Sequence, residues 1–172
     1  EDTSGRVFTG EEAMGRAAMD YFKNIFTSVP SVDPSPIINL VQSVIDEDTN
    51  ASLCADFTEK EISDALFQIG PLKAPGPDGF PARFFQRNWG TIKKSIVAAV
   101  QEFFRSRVMP AKVNSTNIVL IPKIKNPVKI TDFRPISLCN VLYKLVSKVI
   151  ANRLKCILGE IIPKNQSAFM LG

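Results

Sequence analysis

Seven consecutive residues, Lys73-Ala74-Pro75-Gly76-Pro77-Asp78-Gly79, restrict the backbone more tightly than any other stretch of this chain. Each proline fixes its own φ and pushes the residue before it toward extended geometry. Each glycine permits positive φ, or the close approach of another backbone. The segment has to be a rigidly turned loop that interrupts whatever helices flank it. Lys73 and Asp78 can pair across the loop, or Lys73 can face a phosphate; a purely structural turn accounts for the same residues. The loop is not a phosphate-cradling P-loop, because the order Gly-x-x-x-x-Gly-Lys-Ser/Thr is missing.

Helical patterns lie on both sides. Upstream, Thr58 and Glu61 have capping-box spacing, and Ile62, Ala65, Leu66 and Ile69 form one apolar face that Gly70-Pro71 stops. Downstream, Phe80, Phe84, Phe85 and Trp89 punctuate a short helical piece that also carries Arg83 and Arg87. Aromatics among arginines can stack on bases, but the helical spacing favours burial, with the arginines on the wetter side. A helix over 92–104 follows, its apolar face made by Trp89, Ile92, Ile96, Val100 and Phe103 or Phe104.

Residues 117–138, NIVLIPKIKNPVKITDFRPISL, read as an irregular β-hairpin. Ile118 to Ile121 is β-branched-rich and apolar, and Pro122 ends the strand or places it at an edge. Lys123, Lys125 and Lys129 make the tip basic, and Arg134 stands at the return. Such a hairpin can carry cations to a phosphate, or it can be a solvated, Lys-rich hairpin. A long helix is expected over 138–158, with Leu138, Leu142, Leu145, Val149, Leu154 and Leu158 recurring at helical spacing and Gly159 ending it. Lys144, Lys148, Arg153 and Lys155 give that helix a cationic surface, which suits a nucleic-acid backbone or plain solvent.

The first part of the chain is less informative. Residues 1–10 read as a frayed lead-in and 11–26 as a helix with Ala18, Tyr21, Phe22, Ile25 and Phe26 on its apolar stripe. Residues 27–36 form a Ser/Pro linker, 37–45 a short helix and 46–50 a solvated acidic loop.

Charge is unevenly distributed. Residues 1–70 hold four Lys/Arg against thirteen Asp/Glu, whereas 101–172 hold twelve against three. A basic second half suits a polyanion. Three cysteines with no histidine argue against a zinc site, a Cys-His nucleophile or a disulfide framework, and fit a reducing intracellular compartment, nucleus or cytoplasm. The sequence shows no signal segment, and no apolar run reaches membrane-spanning length.

Taken in order, several blocks resemble a reverse transcriptase domain of plant LINE-type, non-LTR retrotransposons. They are YFKNIFTS at 21–28, KAPGPDGF at 73–80, FFQRNW at 84–89, NSTNIVLIPK at 114–123, DFRPISLCNVLYKLVSKVIANRLK at 132–155 and IIPKNQSAFMLG at 161–172. The resemblance implies an N-terminal helical extension and linker over 1–57 and a partial domain over 58–172. That domain would comprise the fingers and the start of the palm. The fold class expected is α+β, mostly helical, with an irregular β-hairpin.

By the same resemblance, Lys123 and Arg134 are the expected nucleotide or phosphate contacts. Arg134 is the sharper expectation, because its planar fork suits phosphate oxygens. Lys73, Gly76, Asp78, Gly79, Arg153 and Gln166 are the expected template contacts. The implied partners are an RNA or DNA primer-template and a dNTP, with no membrane. The rest of the palm is the natural packing partner. The resemblance places the catalytic aspartates after Gly172, so this chain alone is expected to be inactive and to need no cofactor, with Mg2+ used by the complete polymerase. Asp78 and Asp132 belong to fingers motifs and do not substitute for those carboxylates. The Met170-Leu171 pair departs from the usual valine-proline before the glycine. Other functions compatible with the sequence are a non-enzymatic nucleic-acid-binding module and a nonfunctional retroelement relic.

Overall fold

Local signals in the sequence account for most of the elements in the computed structural model, which describes residues 1–28, 33–38 and 44–162. The helices are α1 (Glu11–Phe26), α2 (Ser35–Ile38), α3 (Glu47–Cys54), α4 (Glu59–Gln68), α5 (Ala82–Arg87), α6 (Trp89–Ser106), α7 (Ala111–Asn114) and α8 (Val141–Ile161). Strands β1 (Thr116–Pro122) and β2 (Phe133–Cys139) pair in a two-stranded antiparallel sheet. The architecture is therefore α+β and mostly helical. No helix among the described residues is long and apolar enough to cross a membrane. The chain divides into two compact units, Glu1–Val41 with Ile118–Ser137, and Gln42–Asn117 with Leu138–Gly172.

In the first unit the lead-in is ordered rather than frayed. The Asp2 carboxylate accepts the backbone N–H of Ser4 at 2.9 Å and of Arg6 at 3.0 Å, and the Ser4 hydroxyl at 2.7 Å. That hydroxyl above all holds the Asp2 carboxyl far below the usual carboxylate range. Of the stripe on α1, Phe22 is buried while Ile25 and Phe26 are exposed. Phe22 meets Tyr21 edge-on at 5.0 Å.

The hairpin turns through a short 3-10 segment, Ile130–Asp132. Here Asp132 acts as the turn's organiser, its carboxylate accepting the N–H groups of Val128 at 3.1 Å and Lys129 at 2.9 Å. Those bonds, Lys129 first, lower its pKa.

The second unit holds the larger core. Thr58 and Glu61 form the capping box at the start of α4, and Ile62, Ala65 and Leu66 are fully buried. They pack with Val100 of α6 and with Val141, Leu145 and Val149 of α8 in one cluster. Burying a Leu, Ile or Val of this kind contributes roughly 1.5–3 kcal/mol each.

Four expectations need correction. Residues 46–50 are not a loop: Asp46 caps α3, its carboxylate accepting the Thr49 N–H at 2.7 Å, with Glu47 and Asp48 in the first turn where the helix dipole favours acids. Of the helix expected over 37–45, residues 37 and 38 belong to α2 and 44 and 45 are not helical, while residues 39–43 lie outside the described set. The long helix begins three residues later than expected, because Leu138 and Cys139 finish β2 and Asn140 is the N-cap. It also runs through Gly159 to Ile161, since a glycine weakens a helix without having to end it.

Candidate nucleic-acid interface

The turned loop at 73–79 is fixed by one side chain. Asn140 is buried at 3% exposure. Its Oδ1 accepts the Asp78 N–H at 3.1 Å, and its Nδ2 donates to the carbonyls of Lys112 at 2.9 Å and Val113 at 3.2 Å. Gly76 lies directly against it: a Cβ at this position would stand 2.3 Å from Asn140 N and 2.5 Å from the Cys139 carbonyl carbon. Only glycine fits such an approach. Lys144 of α8 adds a bond from Nζ to the Ala74 carbonyl at 2.8 Å. The loop, the α7 turn and the start of α8 are thereby tied into one piece.

Within the loop, Asp78 and Lys73 do not form an ion pair among the described residues. Asp78 Oδ1 accepts the Phe80 N–H at 3.0 Å, and Gly79 takes φ +75°. Lys73 is exposed, its stem passing Gly70 so closely that a Cβ there would meet Lys73 Cγ at 3.2 Å. Gly76, Asp78 and Gly79 therefore shape the loop, while the Lys73 ammonium is free to meet an anion.

The aromatic residues after the loop depart from expectation. Phe85 and Trp89 are half-buried against the core. Phe80 and Phe84 are instead 46% and 40% exposed, with ring centroids 4.7 Å apart. Helical spacing puts them on an apolar face, but among the described residues that part of it is only partly covered.

Arg153 is committed within its own unit. Its Nε and Nη2 donate to Glu61 Oε1 and Oε2 at 2.7 and 3.1 Å. Nη1 donates to the carbonyls of Leu53 and Ala55, and Nη2 also to that of Asp56. All five guanidinium N–H donors are thereby matched. The guanidinium carbon stands 3.6 Å from the Phe57 ring centroid, a cation–π contact. Arg153 thus ties the segment before α4 to α8 and retains no donor for a template.

Next to it lies a groove of about 780 Å³ lined by Phe57, Phe104, Ile150 and Leu154. Asp56, Glu102, Arg105 and Arg107 mix both signs of charge along its wall.

In the hairpin, the Lys123 N–H donates to the Asp132 carbonyl at 2.7 Å, and Lys123 Nζ to the Thr131 carbonyl at 2.7 Å. Arg134 is exposed on β2, and no hydrogen bond or ion pair engages its guanidinium among the described residues. Lys123 and Arg134 belong to one turn of chain, and Lys73, Gly76, Asp78 and Gly79 to another. Gln166 lies outside the described residues.

Sequence reasoning passed over Asn140. An Asn just before an apolar-periodic run is an N-cap signal, but a helical period counted from Leu138 hides it inside the helix. Gln86 was missed too: its amide donates to the carbonyls of Leu66 at 3.0 Å and Ile69 at 2.8 Å, satisfying the open end of α4.

No protein-family model matches the chain. It is 32% identical over 165 residues, 95% of its length, to the Transposon TX1 uncharacterized 149 kDa protein of Xenopus laevis. It is also 25% identical over 120 residues, 68% of its length, to the Retrovirus-related Pol polyprotein from type-1 retrotransposable element R1 of Bradysia coprophila. The matched region is 12% of the length of each of these relatives. These similarities relate the chain to a segment of retrotransposon proteins.

Proposed function

We propose that this chain supplies part of the nucleic-acid- and nucleotide-contacting surface of an RNA-directed DNA polymerase from a LINE-type, non-LTR retroelement of plant lineage. The observation that carries this reading is Arg134: a guanidinium exposed on a hairpin strand, unengaged among the described residues, within a block order resembling that of reverse transcriptases. The similarity to a Pol polyprotein supports the same reading. Arg134 offers a bidentate fork to phosphate oxygens. Lys123 and Lys73 add point charges that neutralise backbone.

The carboxylates in the blocks that carry the resemblance help to shape their own turns. Asp78 and Asp132, the carboxylates of the relevant blocks, accept backbone N–H groups in their own turns. The metal-binding carboxylates belong, on this reading, to other parts of the polyprotein. Exposed Ile118, Ile121, Ile124, Val128 and Ile136 on the hairpin favour packing against such a part, since an isolated two-stranded hairpin is marginal in water.

The test is a titration of the pure chain into labelled primer-template at low and high salt. Binding that weakens steeply with salt is expected, together with no primer extension in the presence of dNTPs and magnesium. Absence of binding at low salt would leave the relic reading, and extension by the pure chain would overturn the assignment of the metal-binding carboxylates elsewhere.

A further inference from the structure

Phe80 and Phe84 form a built surface rather than a loose end. Phe80 follows the loop locked by Asn140, and its N–H is held by Asp78 Oδ1 at 3.0 Å. Phe84 stands on the first turn of α5. Phe85, packed on the core, meets Phe84 at 5.4 Å with planes at 90° and Phe80 at 6.5 Å with planes at 80°. A half-buried ring thus supports the exposed pair from behind. Their planes are inclined by 40°, and both rings stay partly open to solvent.

The charged side chains of α5 itself have one sign, while beside the pair the Asp78 carboxylate accepts the Phe80 N–H. Arg83 and Arg87 are exposed on the same short helix, and no side-chain bond engages either guanidinium among the described residues. Between Asp78 and Glu102 there is no Asp or Glu, whereas Arg83, Arg87, Lys93 and Lys94 fall within that interval. Of these, Lys93 is paired with Glu59. Exposed aromatic faces interleaved with unpaired arginines suit a strand whose bases are unstacked and whose phosphates are close by.

We infer that Phe80 and Phe84 form a stacking platform for the bases of a single-stranded segment of RNA or DNA, with Arg83 and Arg87 holding its phosphates. The inference rests on the nucleic-acid reading above and adds to it the contacting groups and the strandedness of the substrate. Stacking is tolerant of sequence, because every base has a π-face. The platform is pre-organised by the loop lock, so little side-chain freedom is lost on binding.

The experiment measures fluorescence anisotropy of the full 172-residue chain with three labelled probes of roughly 12 residues: oligo(U), an abasic ribose-phosphate strand of equal charge, and an RNA duplex. Oligo(U) is expected to bind at least about fivefold more tightly than the abasic strand. Phe80→Leu and Phe84→Leu, checked for retained helix by circular dichroism, should each shrink that preference while leaving abasic binding unchanged. Phe84→Trp keeps a ring, and its indole emission should be quenched by oligo(U) beyond any change at Trp89.

Equal binding of oligo(U) and the abasic strand would overturn the stacking platform while the nucleic-acid reading stands. A preference that survives both leucine variants, or an unquenched Phe84→Trp, would overturn the assignment to these rings. That is the outcome expected if they dock another protein instead. If none of the probes binds at low salt, the nucleic-acid reading fails and the platform fails with it.

Discussion

Arg153 and Glu61 face each other across 92 residues of sequence in two hydrogen bonds, Nε to Oε1 at 2.7 Å and Nη2 to Oε2 at 3.1 Å. Glu61 is also the N3 residue of the α4 capping box, accepting the Thr58 N–H at 2.8 Å. One carboxylate therefore closes the start of α4 and anchors α8 to it. Arg153→Ala should destabilise the second unit by about 2–3 kcal/mol, because it removes a matched cation and orphans three carbonyls. Arg153→Lys should recover only part of this, since an ammonium cannot reproduce the five-donor fork. Urea unfolding of the three proteins checks it; a loss under about 0.5 kcal/mol would show that the contact is surface decoration.

Acid should release the same contact. The Arg153 hydrogen bonds lead in pulling Glu61 down from 4.5 to about 2, with help from Thr58. Its pKa is depressed in the folded chain, so its contribution is present above about pH 4.5 and lost as pH falls toward 2. Asp46 is lowered by Thr49 and Asp132 by the Lys129 N–H, so they titrate in the same direction. Glu61→Gln isolates the Glu61 share: its melting temperature should depend less on pH between 5 and 2 than that of the parent chain.

Glycine substitutions should separate close approach from backbone strain. Gly76→Ala places a methyl 2.3 Å from Asn140 N and should cost several kcal/mol, about 3 or more. Gly79→Ala meets nothing within 4 Å and suffers only its φ of +75°, for about 1–2 kcal/mol. Equal losses in denaturant unfolding would refute the tight contact at Gly76.

Asn140→Leu should be among the most damaging changes in the second unit. It leaves the Asp78 N–H and the carbonyls of Lys112 and Val113 without their partner. The expected loss is about 2–4 kcal/mol, with hydrogen-exchange protection falling at Asp78. Asn140→Asp keeps the acceptor but not the donor, and should fall between.

Arg134→Gln should act oppositely to Arg153→Ala. With no bond to lose among the described residues, its melting temperature should stay within the error of measurement, while affinity for primer-template drops and the salt dependence shallows by about one charge. A fall in stability without a change in salt slope would make Arg134 a structural residue.

Much of the fold could be read from the chain. Thr58 and Glu61 announced α4, the apolar period placed α1 and α6, and the proline-bounded β-branched run gave the hairpin. These are local signals, set by backbone sterics, capping and the alternation of apolar residues. The candidate site was legible only in part. Arg153 and Arg134 carry the same side chain in similarly basic stretches, and no local pattern distinguishes them. One meets a carboxylate, three carbonyls and an aromatic ring brought from a distant segment, whereas the other faces solvent.

The sequence by itself determined the turned loop, the basic second half and the helix-hairpin-helix order. Only the tertiary structure decided that Gly76 must be glycine, that Asn140 is the buried knot, and that Phe80 and Phe84 remain uncovered while Phe85 is packed. Periodicity identifies which side chains share a face, but burial depends on whether a distant segment arrives to cover it.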